Sequence, residues 1–186
     1  MVELKLKEGL ARAHDLFTAA ANEGLHKNLC VAVVAEALAP TAPSVDFLEL
    51  LRDIDQNGRK PFADIFGLAG LEIINPVNVF SLPLPAATQV VEGQLAQVNP
   101  EQGIVGLVVT TTVELGPNGT KSGHLFVVIP SNVAPPGFRF VPECSLLLSA
   151  DKVTEPILKP TTPDLVIKRT LIKGRRPLEV ALIKVK

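Results

Sequence analysis

The chain has 186 residues, 47% of them hydrophobic and 20% charged, with a formal net charge of −1 and a mean hydropathy of +0.32. A chain of this size and composition can bury a core without disulfides or metals, which excludes a globally disordered protein. With so few charges to cover the surface, some apolar area is expected to meet another chain.

The rhythm of the sequence changes near residue 75. Before it, apolar residues recur at helical spacing; after it come short β-branched runs cut by Pro, Gly or Asn. In residues 4–22, Leu6, Leu10, Ala13, Phe17 and Ala20 form one stripe, which predicts a first helix. Gly24 suits the left-handed position after it. Leu29, Cys30, Val33, Val34, Ala37 and Leu38 give a wide apolar face, so a second, mostly buried helix is expected over Leu25–Ala39, ended by Pro40 and Pro43. Ser44 is the expected cap of a third helix that buries Phe47, Leu50, Leu51 and Ile54, with Asp46 in its first turn. Pro61 opens a short fourth helix that ends near Gly67–Gly70.

From Leu71 the period becomes two. Strands are expected at about 71–81, 88–98, 103–115, 121–130, 138–149, 164–173 and 177–185, with a short one near 153–158. The clearest hairpin turns at Pro117-Asn118-Gly119, and a second is expected to turn around Gly174. Consecutive strands with short turns predict an antiparallel arrangement. The expected class is therefore α+β: a helical region of about four helices over 1–75, then an antiparallel β-sandwich, or barrel-like region, over 76–186.

One segment has ligand-like spacing. Asp53, Asp55, Asn57, Gly58 and Asp64 stand at positions 1, 3, 5, 6 and 12 of a twelve-residue stretch that follows an amphipathic helix. Hard cations take six to eight oxygens; short Asx side chains at alternate positions can converge on one, and the glycine permits the bend. The stretch resembles the EF-hand calcium loop over Phe47–Gly70, which implies calcium held by Asp53, Asp55, Asn57 and Asp64. It departs from that pattern at position 8, which is Lys60, and in having no second loop to pair with. Asp64 at position 12 is shorter than the usual glutamate, as in dockerin-type loops. The alternative is a helix C-terminus breaking into an Asx-and-Gly turn before Pro61.

Other chemistry is sparse. Cys30 and Cys144 lie far apart without metal-ligand spacing and are expected to act as small buried hydrophobes. Ser122 and His124 share a strand face by parity but have no assignable acid, and there is no nucleophile elbow or phosphate loop. His14 and His26 sit on predicted helices; His26 and Cys30 are four residues apart, and two ligands do not make a zinc site. Asn118-Gly119-Thr120 is formally a glycosylation sequon and is read as turn chemistry.

The charge is unevenly spread, from −4 over residues 1–75 (7 basic, 11 acidic) to +5 over 151–186 (9 basic, 4 acidic). Without Tyr or Trp to stack on bases, the basic end is a poor fit to nucleic acid. It fits better as charge guarding terminal strands. No apolar stretch reaches a membrane span, and the first residues lack a signal-peptide pattern, so a cytoplasmic location is the default expectation. Function is expected to be that of a non-catalytic structural or binding module acting through self-assembly, its partner a second copy or another protein. The alternative is a calcium-dependent binding protein that uses the Asp53 loop. An enzyme would have its site in a cleft between the helices and the β region.

Overall fold

The computed structural model describes residues 5–115, 120–131, 137–141, 160–172 and 176–186. The Pro117–Gly119 turn, the expected strand near 153–158, Gly174 and Cys144 lie outside them. Helix α1 (Leu6–Asn22) buries Leu10, Ala13, Leu16, Phe17 and Ala20; of the predicted stripe Leu6 is only half-buried, and Leu16 joins it. Gly24 follows it at φ 70°, in the left-handed conformation that a residue without a Cβ adopts readily.

Helix α2 (Leu29–Leu38) begins four residues later than its apolar pattern suggests. Asn28 takes φ 58°, ψ 11° and interrupts the helical path. Ala39 is extended before Pro40, as the ring of a following proline demands. Nearly every α2 side chain is buried, including Glu36. Helix α3 (Phe47–Asn57) is capped by Asp46, not Ser44: its carboxylate accepts from the Leu48 and Glu49 amides at 2.9 and 3.3 Å. A charged acceptor at this helix end is the stronger cap. Helix α4 (Phe62–Leu68) follows Pro61.

The remaining elements are β1 (Leu71–Asn78), α5 (Leu84–Leu95), a short 3₁₀ turn (Pro100–Gln102), β2 (Ile104–Leu115) and β3 (Thr120–Ser131). After these come β4 (Gly137–Val141), β5 (Pro160–Thr161), α6 (Pro163–Ile172) and β6 (Arg176–Val185). The strands form one antiparallel sheet in the order β1-β6-β2-β3-β4-β5, open at both edges. The class is thus α+β, but the described strands make a single sheet and not the two of a sandwich. Two expected strands, 88–98 and 164–173, are helices α5 and α6. The second expected hairpin is accordingly a helix followed by β6.

These two helices explain the layering. On one face, Val105, Val108, Leu125, Val127, Ile129, Ala181 and Ile183 join the core of α1–α4. On the other, Leu107, Val109, Val128, Val180 and Leu182 pack with Ala87, Val91 and Leu95 of α5 and with Val166 and Ile167 of α6. The described molecule is a three-layer stack with its central strands covered on both sides. No helix among the described residues is long and apolar enough to cross a membrane.

Edge strand β1 carries an irregularity. Its register to β6 slips between Ile74 and Val77, leaving Asn75 (φ 51°) and Pro76 out of the ladder. The buried Gln94 of α5 donates to the Asn75 carbonyl at 2.9 Å.

A half-buried ion pair ties α1 to α2. Arg12 donates to the Glu36 carboxylate at 2.8 Å and to the carbonyls of Glu36 and Ala39 at 3.5 and 3.4 Å. Burial pushes the Glu36 carboxyl above its usual range, Arg12 opposes this, and Asp46 adds to the rise. A carboxyl with a raised folded-state pKa takes up its proton more readily when folded, so its contribution to stability grows as pH falls toward the unfolded value near 4.5. Wild type should therefore gain stability relative to Glu36→Gln between pH 7 and about 4.5. Urea titrations at several pH values would show this, and a flat or reversed difference would refute it.

Candidate functional site

A cavity of about 340 Å³ opens between the start of α2 and the sheet. Its position follows from the backbone. Asn28 delays α2, which moves Cys30 from the second turn of the expected helix into the first turn of the actual one. Cys30 is half-buried and lines the cavity with His26 from the preceding connection. Arg59 and Phe62, from the α3–α4 connection and the start of α4, form a second wall. The sheet closes a third with Thr110, Leu125 and Glu179. Leu125 and Glu179 fall on the strand faces whose next members, Val127 and Ala181, join the core of α1–α4. The Thr110 hydroxyl donates to the Glu179 carbonyl at 3.4 Å, tying β2 to β6 at this point.

The second wall is fixed to the first by one side chain. Asn28 Nδ2 donates to the Lys60 carbonyl at 3.0 Å, and the Lys60 amide donates back to Asn28 Oδ1 at 3.1 Å. Lys27 adds a bond to the Asp55 carbonyl at 2.6 Å and an ion pair with its carboxylate at 3.5 Å. Gly58, at φ 106°, supplies the bend that brings this connection back toward α2.

Three of the four calcium-loop residues, Asp53, Asp55 and Asn57, have visible partners. Asp53, Asp55 and Asn57 lie inside α3 and Asp64 in the first turn of α4. Asp53 accepts from Asn57 at 2.7 Å and pairs with Lys60 at 3.2 Å. These contacts hold its carboxyl below the usual range, Asn57 contributing most. Helical geometry puts Asp53 and Asn57 on one face and turns Asp55 away to Lys27. Lys60 meets Oδ2 of Asp53 and Lys27 meets Oδ1 of Asp55, both between solvent-exposed side chains. Among the described residues, no group of three or more His, Cys, Asp or Glu is gathered as a metal ion needs.

Ser122 and His124 lie on β3, opposite Val113 and Thr111 in the ladder, and their side chains are outside the described set. His14 lies on α1, away from the cavity lining. Sequence reasoning did not bring together Cys30, Arg59 and Glu179, which come from three distant segments. The available signal was Asn28, a residue able to break a helix just ahead of a cysteine.

Taken as a class, this is a three-layer α+β protein whose cavity joins a first-turn thiol to an imidazole, a guanidinium and a carboxylate. Comparisons with protein-family models, with curated proteins and with solved structures found no match to the chain.

Proposed function

We propose that the protein is a thiol-dependent acyl-transfer enzyme, a hydrolase of activated esters or amides, with Cys30 as nucleophile. The observation that carries this is the placement of Cys30 in the first turn of a ten-residue helix, facing a cavity it shares with His26. The partial positive charge of a helix N-terminus favours a thiolate over a thiol. No acidic residue in the first turn of α2 counters that field.

The chemistry runs in two steps. His26 takes the Cys30 proton as sulfur attacks the carbonyl carbon, and the leaving group departs with that proton, giving a thioester. Water then adds to the thioester, the acid is released, and the thiol regains a proton. The Leu29 amide already donates to the His26 carbonyl at 3.4 Å, so the oxyanion that forms between these events falls to the later first-turn amides of α2. The test is incubation with 4-nitrophenyl acetate, following nitrophenolate release and peptide mass spectrometry. Acetylated Cys30 is expected; release no faster than in buffer, with Cys30 unmodified, would overturn the reading.

A second reading, self-assembly, is favoured by one patch. Phe80, Leu82 and Leu84, in and beside the β1–α5 connection, are exposed, as is Leu178, whose carbonyl accepts from the adjacent Val79 amide. Exposed apolar side chains this close in the fold suit a partner surface. Size-exclusion chromatography with light scattering should give a discrete multiple of 19.8 kDa on this reading, and a monomer at high micromolar concentration would remove it.

A further inference from the structure

We infer that the Cys30 cavity selects acyl substrates carrying a carboxylate near the scissile bond, that Arg59 is the group recognising it, and that Asn28 positions Arg59. This rests on the reading of Cys30 as a reactive thiol. The charges around the cavity are the starting point. Lys27 pairs with Asp55, Lys60 with Asp53, and Arg52 with Glu23 and Glu49. Arg59 lines the cavity itself and forms no ion pair or hydrogen bond through its side chain with any described residue. It does not pair with Glu179, the carboxylate of the same cavity. Arg59 stands solvent-exposed at the cavity, and among the described residues it is unpaired where these neighbours are paired.

Its location is not left to a loose loop. Asn28 makes its two reciprocal bonds to the Lys60 peptide, immediately after Arg59. The same Asn28 sets the start of α2 two residues before Cys30. One residue therefore fixes the separation between the nucleophile and the anion-recognising group. A planar guanidinium, with five donors and a permanent charge, is suited to a carboxylate. Glu179 on the sheet wall disfavours a second negative group there, which restricts the anion to the Arg59 side.

The experiment compares Cys30 alkylation by iodoacetate and by iodoacetamide, nearly isosteric reagents that differ in charge, on the full chain. Cys30 labelling by iodoacetamide tests the underlying reading: an inert Cys30 would fail that reading and leave no site for this one. Given labelling, the iodoacetate-to-iodoacetamide rate ratio in the wild type is expected to fall about fivefold in Arg59→Ala, the factor that ~1 kcal/mol of solvent-screened attraction confers. Arg59→Lys should retain part of the preference. Raising the salt concentration should shrink it. Asn28→Gly keeps access to the left-handed backbone but loses both bonds to Lys60, and should lower the iodoacetate-to-iodoacetamide ratio, each rate being normalised to the variant's own iodoacetamide rate. A ratio that is unchanged in Arg59→Ala overturns the recognition role, and one that is unchanged in Asn28→Gly overturns the positioning role.

Discussion

Cys30→Ser is expected to lower nitrophenolate release by at least about a thousandfold while leaving the melting temperature within a few degrees of wild type. Oxygen replaces sulfur at nearly the same size, so packing around this half-buried position changes little. The chemistry changes greatly, because a hydroxyl ionises far less readily than a thiol and the field of a helix N-terminus is too weak to close that gap. His26→Ala should cost less, about a hundredfold, as expected for removing a general base that water replaces in part. If Cys30 only fills space, the two variants would match wild type in rate, and any effect would appear in stability alone. Measuring both rate and melting temperature separates these outcomes.

The second large effect is structural. Gly9→Ala is expected to destabilise the protein by about 3 kcal/mol, lowering the melting temperature by roughly 10 °C. A Cβ at Gly9 would lie 2.1 Å from the Ala37 carbonyl oxygen and 2.9 Å from its carbon. Backbone cannot swing aside as a side-chain tip can, so α1 and α2 would have to separate, loosening the adjacent Arg12–Glu36 pair. Gly93→Ala is the control. It sits inside α5 with nothing within 4 Å of its virtual Cβ. There the same substitution should stabilise by up to about 1 kcal/mol, through helix propensity alone. Thermal melts of the two variants should move in opposite directions; equal shifts would contradict the close α1–α2 approach.

How much of this was legible in the sequence differs between the layers. The α1 stripe, the burial of α2 and the Pro61 start of α4 follow from spacing and breaker residues, which act locally. The β2 and β3 arms were equally plain, since their β-branched runs leave little choice. Helices α5 and α6 were misread for a shared reason. α6 is short and rich in valine, isoleucine and threonine, and α5 groups Thr88, Val90 and Val91 near its middle, so local propensity there favours a strand and packing on the sheet decides the outcome. In α5 the buried residues are Ala87, Val91, Gln94 and Leu95, a helical period that the neighbouring Val90 obscures.

The sandwich expectation arose from the same misreading. Strands covered on both faces read as apolar runs, and without α5 and α6 the only available cover was a second sheet. For the candidate site, the Asp53 spacing was visible but its partners were not. Lys27 and Lys60 reach Asp55 and Asp53 only after the α3–α4 connection folds back on α2. Cys30 packs partly against the α1–α4 core, as its apolar neighbours lead one to expect, but it also lines the cavity, which no local spacing reveals.

The slip in β1 has a consequence for how this chain keeps apart from others in a crowded solution. An exposed outer strand ordinarily offers its peptide groups to any passing extended segment, which is how sheets grow into aggregates. Here Pro76 has no amide hydrogen to offer, and Asn75, twisted to φ 51°, has its carbonyl occupied by Gln94 from within. The midpoint of the outer strand is thereby closed to templating. Molecules that meet along this border meet through side chains, where composition can discriminate between partners, and not through the backbone, where it cannot.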